Sequence, residues 1–131
     1  MKSLTAALVV ACLLAPSAAA DEPRTFEAAG TVEVAFAPWD DLEGTVIRAI
    51  GAARKQVLVQ AFSFTSRRIA AALIAAHARG VDVQLTADRE QTFSGGNSRI
   101  PEIAAAGVPV WLEVRYQAAH NKVMVIDAGT S

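Results

Sequence analysis

Strands and helices that alternate along the chain predict an α/β domain, with a mixed, mostly parallel sheet flanked by helices. Three observations carry this reading. Val57-Leu58-Val59 is an unbroken apolar run of the kind found in central strands of parallel sheets. Val81-Asp82-Val83-Gln84-Leu85 alternates with the period of a strand. Between them, Ile69, Leu73 and Ala76 recur at helical spacing, and Gly80 follows where a helix needs a left-handed residue.

The first residues do not belong to that domain. Lys2, the apolar run Leu4–Leu14, the break at Pro16-Ser17 and the small residues Ala18-Ala19-Ala20 form a secretory signal, too short for a membrane span. Cleavage is expected after Ala20, giving a periplasmic or secreted protein with no stable membrane insertion. Val9-Val10-Ala11-Cys12 has the look of a lipoprotein box, yet little apolar chain precedes Cys12 and the run continues through Leu13 and Leu14, which argues against lipidation. Cys12 is the only cysteine, so a mature chain holds no thiol for a disulfide, zinc site or nucleophile.

Of 131 residues, a leader of 20 leaves 111, enough for one modest domain. Loss of Lys2 sets 11 basic against 13 acidic residues, a net −2, which excludes nucleic-acid coating by bulk charge. An anionic substrate would need a local pocket.

Residues 21–30 are polar, carry Pro23 and read as a tether, and the domain is expected over 31–131. Thr31–Phe36 alternates as a half-buried strand would. Asp40 is expected to open a helix, with Glu43 completing a capping box and Leu42, Val46, Ile50 and Ala53 on one stripe. Gln56–Phe62 is the next strand, and Ser66 caps the helix that ends at Gly80. Gln91–Ser98, with Gly95-Gly96-Asn97, reads as a loop, and a short helix over 98–106 takes Pro101 in its first turn. Val108–Val114 and the stretch from Lys122 onward complete the strands, the last one read as buried.

The chemistry concentrates in Ala119-His120-Asn121-Lys122-Val123-Met124-Val125-Ile126-Asp127. Residues two apart on a strand share a face, so His120 and Lys122 point together and Asp127 points away if the strand stays regular. Imidazole can attack phosphorus when neutral and donate a proton when charged, while an ammonium neutralises phosphate oxygens as charge develops. By itself, a bare H-x-K is better read as a strand-end histidine beside a snorkelling lysine.

His120-x-Lys122-x4-Asp127 has the H-x-K-x4-D spacing of the phospholipase D superfamily. Ala61-Phe62-Ser63-Phe64-Thr65 at a strand end and Arg79-Gly80-Val81-Asp82-Val83 also resemble the small single-motif bacterial endonucleases of that superfamily, over residues 31–131. The resemblance implies a phospholipase D-like fold, no cofactor and no metal. It also implies a homodimer that shares one active site: one His120 forms a phosphohistidine, the second protonates the leaving oxygen, and both Lys122 side chains grip phosphate. Asp127 belongs to the motif, although its facing favours hydrogen bonds at the strand end. Ser63 and Thr65 could line the phosphate pocket or cap the next helix.

In the family a G-S-x-N element follows the aspartate by about ten residues, and the sequence stops at Ser131, before such an element. The sequence is thus expected to be a fragment or a natural truncation, and a poor enzyme by itself. Three functions stay open. They are an exported nonspecific endonuclease acting on DNA or RNA, a phospholipase D-type lipid phosphodiesterase, and a non-catalytic remnant that binds nucleic acid or a partner. Arg67 and Arg68 could steer an anionic chain or be plain solvated charge. Trp39, Trp111, Tyr116 and Phe93 could stack on bases or contact lipid. Trp39 and Trp111 are expected in the core or at a dimer interface, and His77 on an exposed helix face.

Overall fold

A computed structural model of the chain describes residues 29–128. It divides into two compact units between Glu33 and Val34. Of the first unit only residues 29–33 are described, and they are exposed and irregular. The signal 1–20, Cys12 and most of the tether lie outside the described residues.

The second unit runs α1 (Leu42–Ala52), β1 (Gln56–Ala61), α2 (Arg67–Ala78), β2 (Asp82–Asp88), α3 (Arg89–Phe93), α4 (Ile100–Ala105), β3 (Val110–Glu113) and β4 (Lys122–Ile126). The sheet order is β3-β2-β1-β4. β1, β2 and β3 are parallel, and β4 runs antiparallel beside β1 with Lys122 opposite Ala61 and Ile126 opposite Val57. The sheet is therefore mixed and mostly parallel. No helix among the described residues is long and apolar enough to cross a membrane.

Alternation decides which face is dry. Val57, Val59 and Ala61 of β1 and Val83, Leu85 and Ala87 of β2 are buried, packed in one core with Ile50, Ala70, Leu73, Ala76, Ile100 and Ile103 from the helices. The intervening residues Leu58, Gln60, Gln84 and Thr86 instead line an open groove of about 420 Å³ with Trp111 and the valines of β4. β1 is central, but helices cover only one of its faces. Trp111, on the uncovered face, is 52% exposed and Trp39, ahead of α1, is 83% exposed, so neither takes the core place that was one of the two expectations for it. The same one-sidedness corrects the reading of β4, where Val123 and Val125 are 53% and 40% exposed on an edge strand.

Two further expectations change. Thr31–Phe36 is irregular rather than a strand, and Val32 and Phe36 stay exposed. The cap of α1 is Asp41, whose carboxylate accepts from the Gly44 amide at 2.9 Å. Asp40 closes a preceding turn by accepting from the Phe36 amide at 2.6 Å. With the cap one residue later, the third helical position is a glycine that has no side chain to reach back. Glu43 reaches forward, accepting from the Ser66 hydroxyl and from Arg68 at 2.7 Å, and so ties the start of α1 to the start of α2.

Ser66 caps α2 through the Ile69 amide at 3.0 Å, and Gly80 follows the helix at φ +90°. Inside the expected 91–98 loop, Asp88 caps the short α3 through the Gln91 amide at 2.9 Å, and Gly95 and Gly96 at positive φ then turn the chain.

Candidate active site at the carboxyl ends of the parallel strands

Because β1, β2 and β3 are parallel, their carboxyl ends gather Ala61-Phe62, Asp88 and Glu113 at one edge of the sheet, the usual place for ligands in open α/β folds. β4 starts at that edge because it runs the other way. The Phe62 amide donates to the Asn121 carbonyl at 2.9 Å, which carries the β1–β4 ladder one step past Lys122. His120 and Lys122 are thereby held at the entrance of the strand, both exposed.

The two side chains meet. Lys122 Nζ lies 3.2 Å from His120 Nδ1 and 3.0 Å from Nε2. A neutral imidazole has one unprotonated nitrogen, so the ammonium donates to one of these at a time. The Phe62 ring packs edge-on against the imidazole, with centroids 4.4 Å apart and planes at 60°, and Lys122 Nζ sits 5.0 Å from the same ring. Phe62 thus backs both groups. An exposed cation beside an exposed imidazole, both set against a half-buried aromatic ring, suits capture of an oxyanion.

Asp127 is not brought to this pair. It lies five residue steps beyond Lys122, about 17 Å along an extended strand. There it leaves the strand with φ +48°. Its carboxylate accepts from three consecutive amides, Arg54 at 2.9 Å, Lys55 at 2.7 Å and Gln56 at 3.0 Å. Those N–H groups, Gln56 first, hold the Asp127 carboxyl below the ordinary aspartate range.

Ser63 lines a groove of about 400 Å³ that also takes in Lys122, Val46, Ile69 and Met124, whereas the exposed Thr65 does not line it. Arg68 is engaged by Glu43. Arg115 is engaged by Glu113 at 3.1 Å, and the guanidinium pushes the Glu113 carboxyl down to about 2. Phe93 and Tyr116 are exposed around a separate groove of about 510 Å³ beside Asp88 and Glu113. Among the described residues, no three His, Asp or Glu side chains converge as metal ligands would.

Two residues of this edge went unassigned in the sequence. Phe62 was visible only as part of a strand end. The D-x-x-Q pattern Asp88-Arg89-Glu90-Gln91 could have announced the cap of α3, but nothing local announces the second bond of Asp88, to the Ala119 amide at 2.9 Å.

The family model described as "Cardiolipin synthase, PLD-like domain" matches residues 46–131. The chain belongs to the phospholipase D-like family. It is similar to a "Phospholipase D" of Rickettsia bellii, 33% identical over 99 residues that cover 73% of this chain and 47% of that protein. It is also similar to the "Mitochondrial cardiolipin hydrolase" of Drosophila melanogaster, 32% identical over 82 residues, 63% of this chain and 32% of that one. The fold matches the phospholipase D family member Nuc from Salmonella typhimurium with a TM-score of 0.64 and 32% identity, covering 70% of this chain and 60% of Nuc. NucT from Helicobacter pylori matches with a TM-score of 0.55 and 26% identity, over 66% and 60% of the two chains. The chain spans about half the length of the curated Rickettsia relatives it matches.

Proposed function

We propose that the protein is an exported phosphodiesterase that needs no metal and most readily serves as a nonspecific endonuclease. The observation that carries the proposal is the contact between the Lys122 ammonium and the His120 imidazole at the exposed end of β4. In this reading a ring nitrogen of His120 attacks phosphorus, a P–N bond forms and the P–O ester bond breaks. His120 of a second copy gives its proton to the leaving oxygen, then takes one from the water that cleaves P–N. Lys122 neutralises the non-bridging oxygens as negative charge builds, the part a metal ion plays in other phosphoryl-transfer sites. Asp127 holds β4 in place, and Ser63, just past the end of β1 and lining the same groove as Lys122, is assigned to reach a bound phosphate.

Likeness to Nuc favours nucleic acid as the substrate. A phospholipid is the second reading, favoured by relatives named phospholipase D and cardiolipin hydrolase and by the largely apolar groove that runs from Lys122 past Val46, Ile69 and Met124. The test is to incubate the protein in chelator with single-stranded DNA, RNA and phosphatidylcholine or cardiolipin vesicles. Cleavage that survives EDTA and is lost in His120→Ala supports the mechanism. Strict dependence on magnesium, or equal activity in a strict monomer, overturns it.

A further inference from the structure

We infer that Asp88 is a positioning residue for His120, the tether that fixes where the imidazole-bearing segment enters β4. The inference rests on the reading of His120 as the reacting group.

Asp88 ends β2, is 2% exposed, and divides its carboxylate between two tasks. One oxygen accepts from the Gln91 amide at 2.9 Å and caps α3; the other accepts from the Ala119 amide at 2.9 Å, 31 residues away in sequence. Residues 114–121 have no regular structure, and Val114–Ala118 are exposed. The first residues of this segment are held locally, Glu113 accepting from the Val114 and Arg115 amides. At the other end the backbone is pinned on both sides of His120. Ala119 is held by Asp88, and the Asn121 carbonyl by the Phe62 amide. His120 sits between the two pins with its ring on Phe62. A single long-range side-chain bond thus supplies one of the two pins.

The chemistry suits a carboxylate. A buried charge is costly unless it is well hydrogen-bonded, and here backbone amides of Gln91 and Ala119 keep the carboxyl below its ordinary range. Serine and asparagine are both good helix caps, but neither offers two separate oxygen acceptors. Asp88→Ser and Asp88→Asn therefore retain the cap of α3 and release Ala119.

The experiment compares both variants and His120→Ala with the parent protein. Three quantities are read: thermal melting, amide exchange at residues 115–121, and hydrolysis of bis(4-nitrophenyl) phosphate in EDTA. The expected result is a cooperative melt lowered by several degrees, about 4–8 °C for each kcal/mol of lost bonding, and amide exchange at Ala119–Asn121 faster by roughly ten-fold or more. kcat should fall by about 10- to 100-fold, the scale of a small misplacement of a reacting group, while KM changes little. Unchanged exchange at Ala119, unchanged kcat, or loss of the whole fold in both variants would overturn the assignment; the last would make Asp88 a core residue. If the parent turns nothing over, or His120→Ala matches it, the phosphodiesterase reading fails separately. The exchange data then still decide whether Asp88 tethers the segment.

Discussion

Lys122→Met offers a sharp separation of folding from chemistry. The side chain is exposed, and its described contacts are the imidazole of His120 and the Phe62 ring at 5.0 Å. An exposed cation–π contact is worth about 0.5–1 kcal/mol, and methionine keeps the stem that covers apolar surface. The fold should therefore lose no more than about 1 kcal/mol, a shift of about 4–8 °C in melting for a domain of this size. Starting from a stability of about 5–15 kcal/mol, such a loss leaves the population almost wholly folded and cannot lower turnover measurably. A charge that meets the phosphate only as the transition state forms is worth about 2.7–4 kcal/mol, or roughly 100- to 1000-fold in kcat. The assay is hydrolysis of a chromogenic phosphodiester in EDTA, paired with a thermal melt by circular dichroism. Lys122→Arg should recover part of the rate by restoring the charge. A kcat for Lys122→Met within about three-fold of the parent, on the scale above, would refute the assigned role.

Other expectations follow from the same geometry. Leu73→Ala, at a fully buried position of α2, should cost about 3–5 kcal/mol and lower the urea midpoint, because the tightly packed site has little room to collapse. Phe62→Leu should leave melting nearly unchanged but reduce kcat more than KM, since the ring that orients His120 is lost. The carboxyls of Asp82, Asp88, Glu113 and Asp127 all sit below their ordinary range in the fold. Their unfolded forms take up protons first, so their contribution is complete above about pH 4–5 and fades as pH falls toward the lower folded values. Urea midpoints should be level from neutral pH to about 5, then decline. A midpoint that rises on acidification would contradict this, and Asp127→Asn should flatten part of the decline.

The sequence reveals most where local pattern and environment agree. β1, α2 and β2 were legible because Val57-Leu58-Val59, the Ile69–Leu73–Ala76 stripe and the Ser66 and Gly80 ends all point one way. The meeting of His120 with Lys122 agrees with the shared face that two-residue spacing predicts, although His120 lies just before β4 and its ring packs on Phe62. What failed required knowledge of neighbours. The period-two pattern of Thr31–Phe36 predicts a strand, but alternation alone does not supply the pairing partner that a strand needs, and the segment is irregular. Apolar Trp111, Val123 and Val125 look buried until the helices prove to cover only the opposite face. The tether from Asp88 to Ala119 spans two elements and leaves no local trace.

The clamp on Asp127 has a consequence for the spacing of the motif. It acts as a stop at the far end of β4, set by three amides where α1 leads into β1, while His120 and Lys122 ride at the near end. Side chains swap faces at every step of a strand, so one residue added or removed between Lys122 and Asp127 would swing the ammonium to the other face of the sheet. The number of residues in that interval works like the length of a ruler, measured from an anchor at the opposite end of the strand from His120 and Lys122.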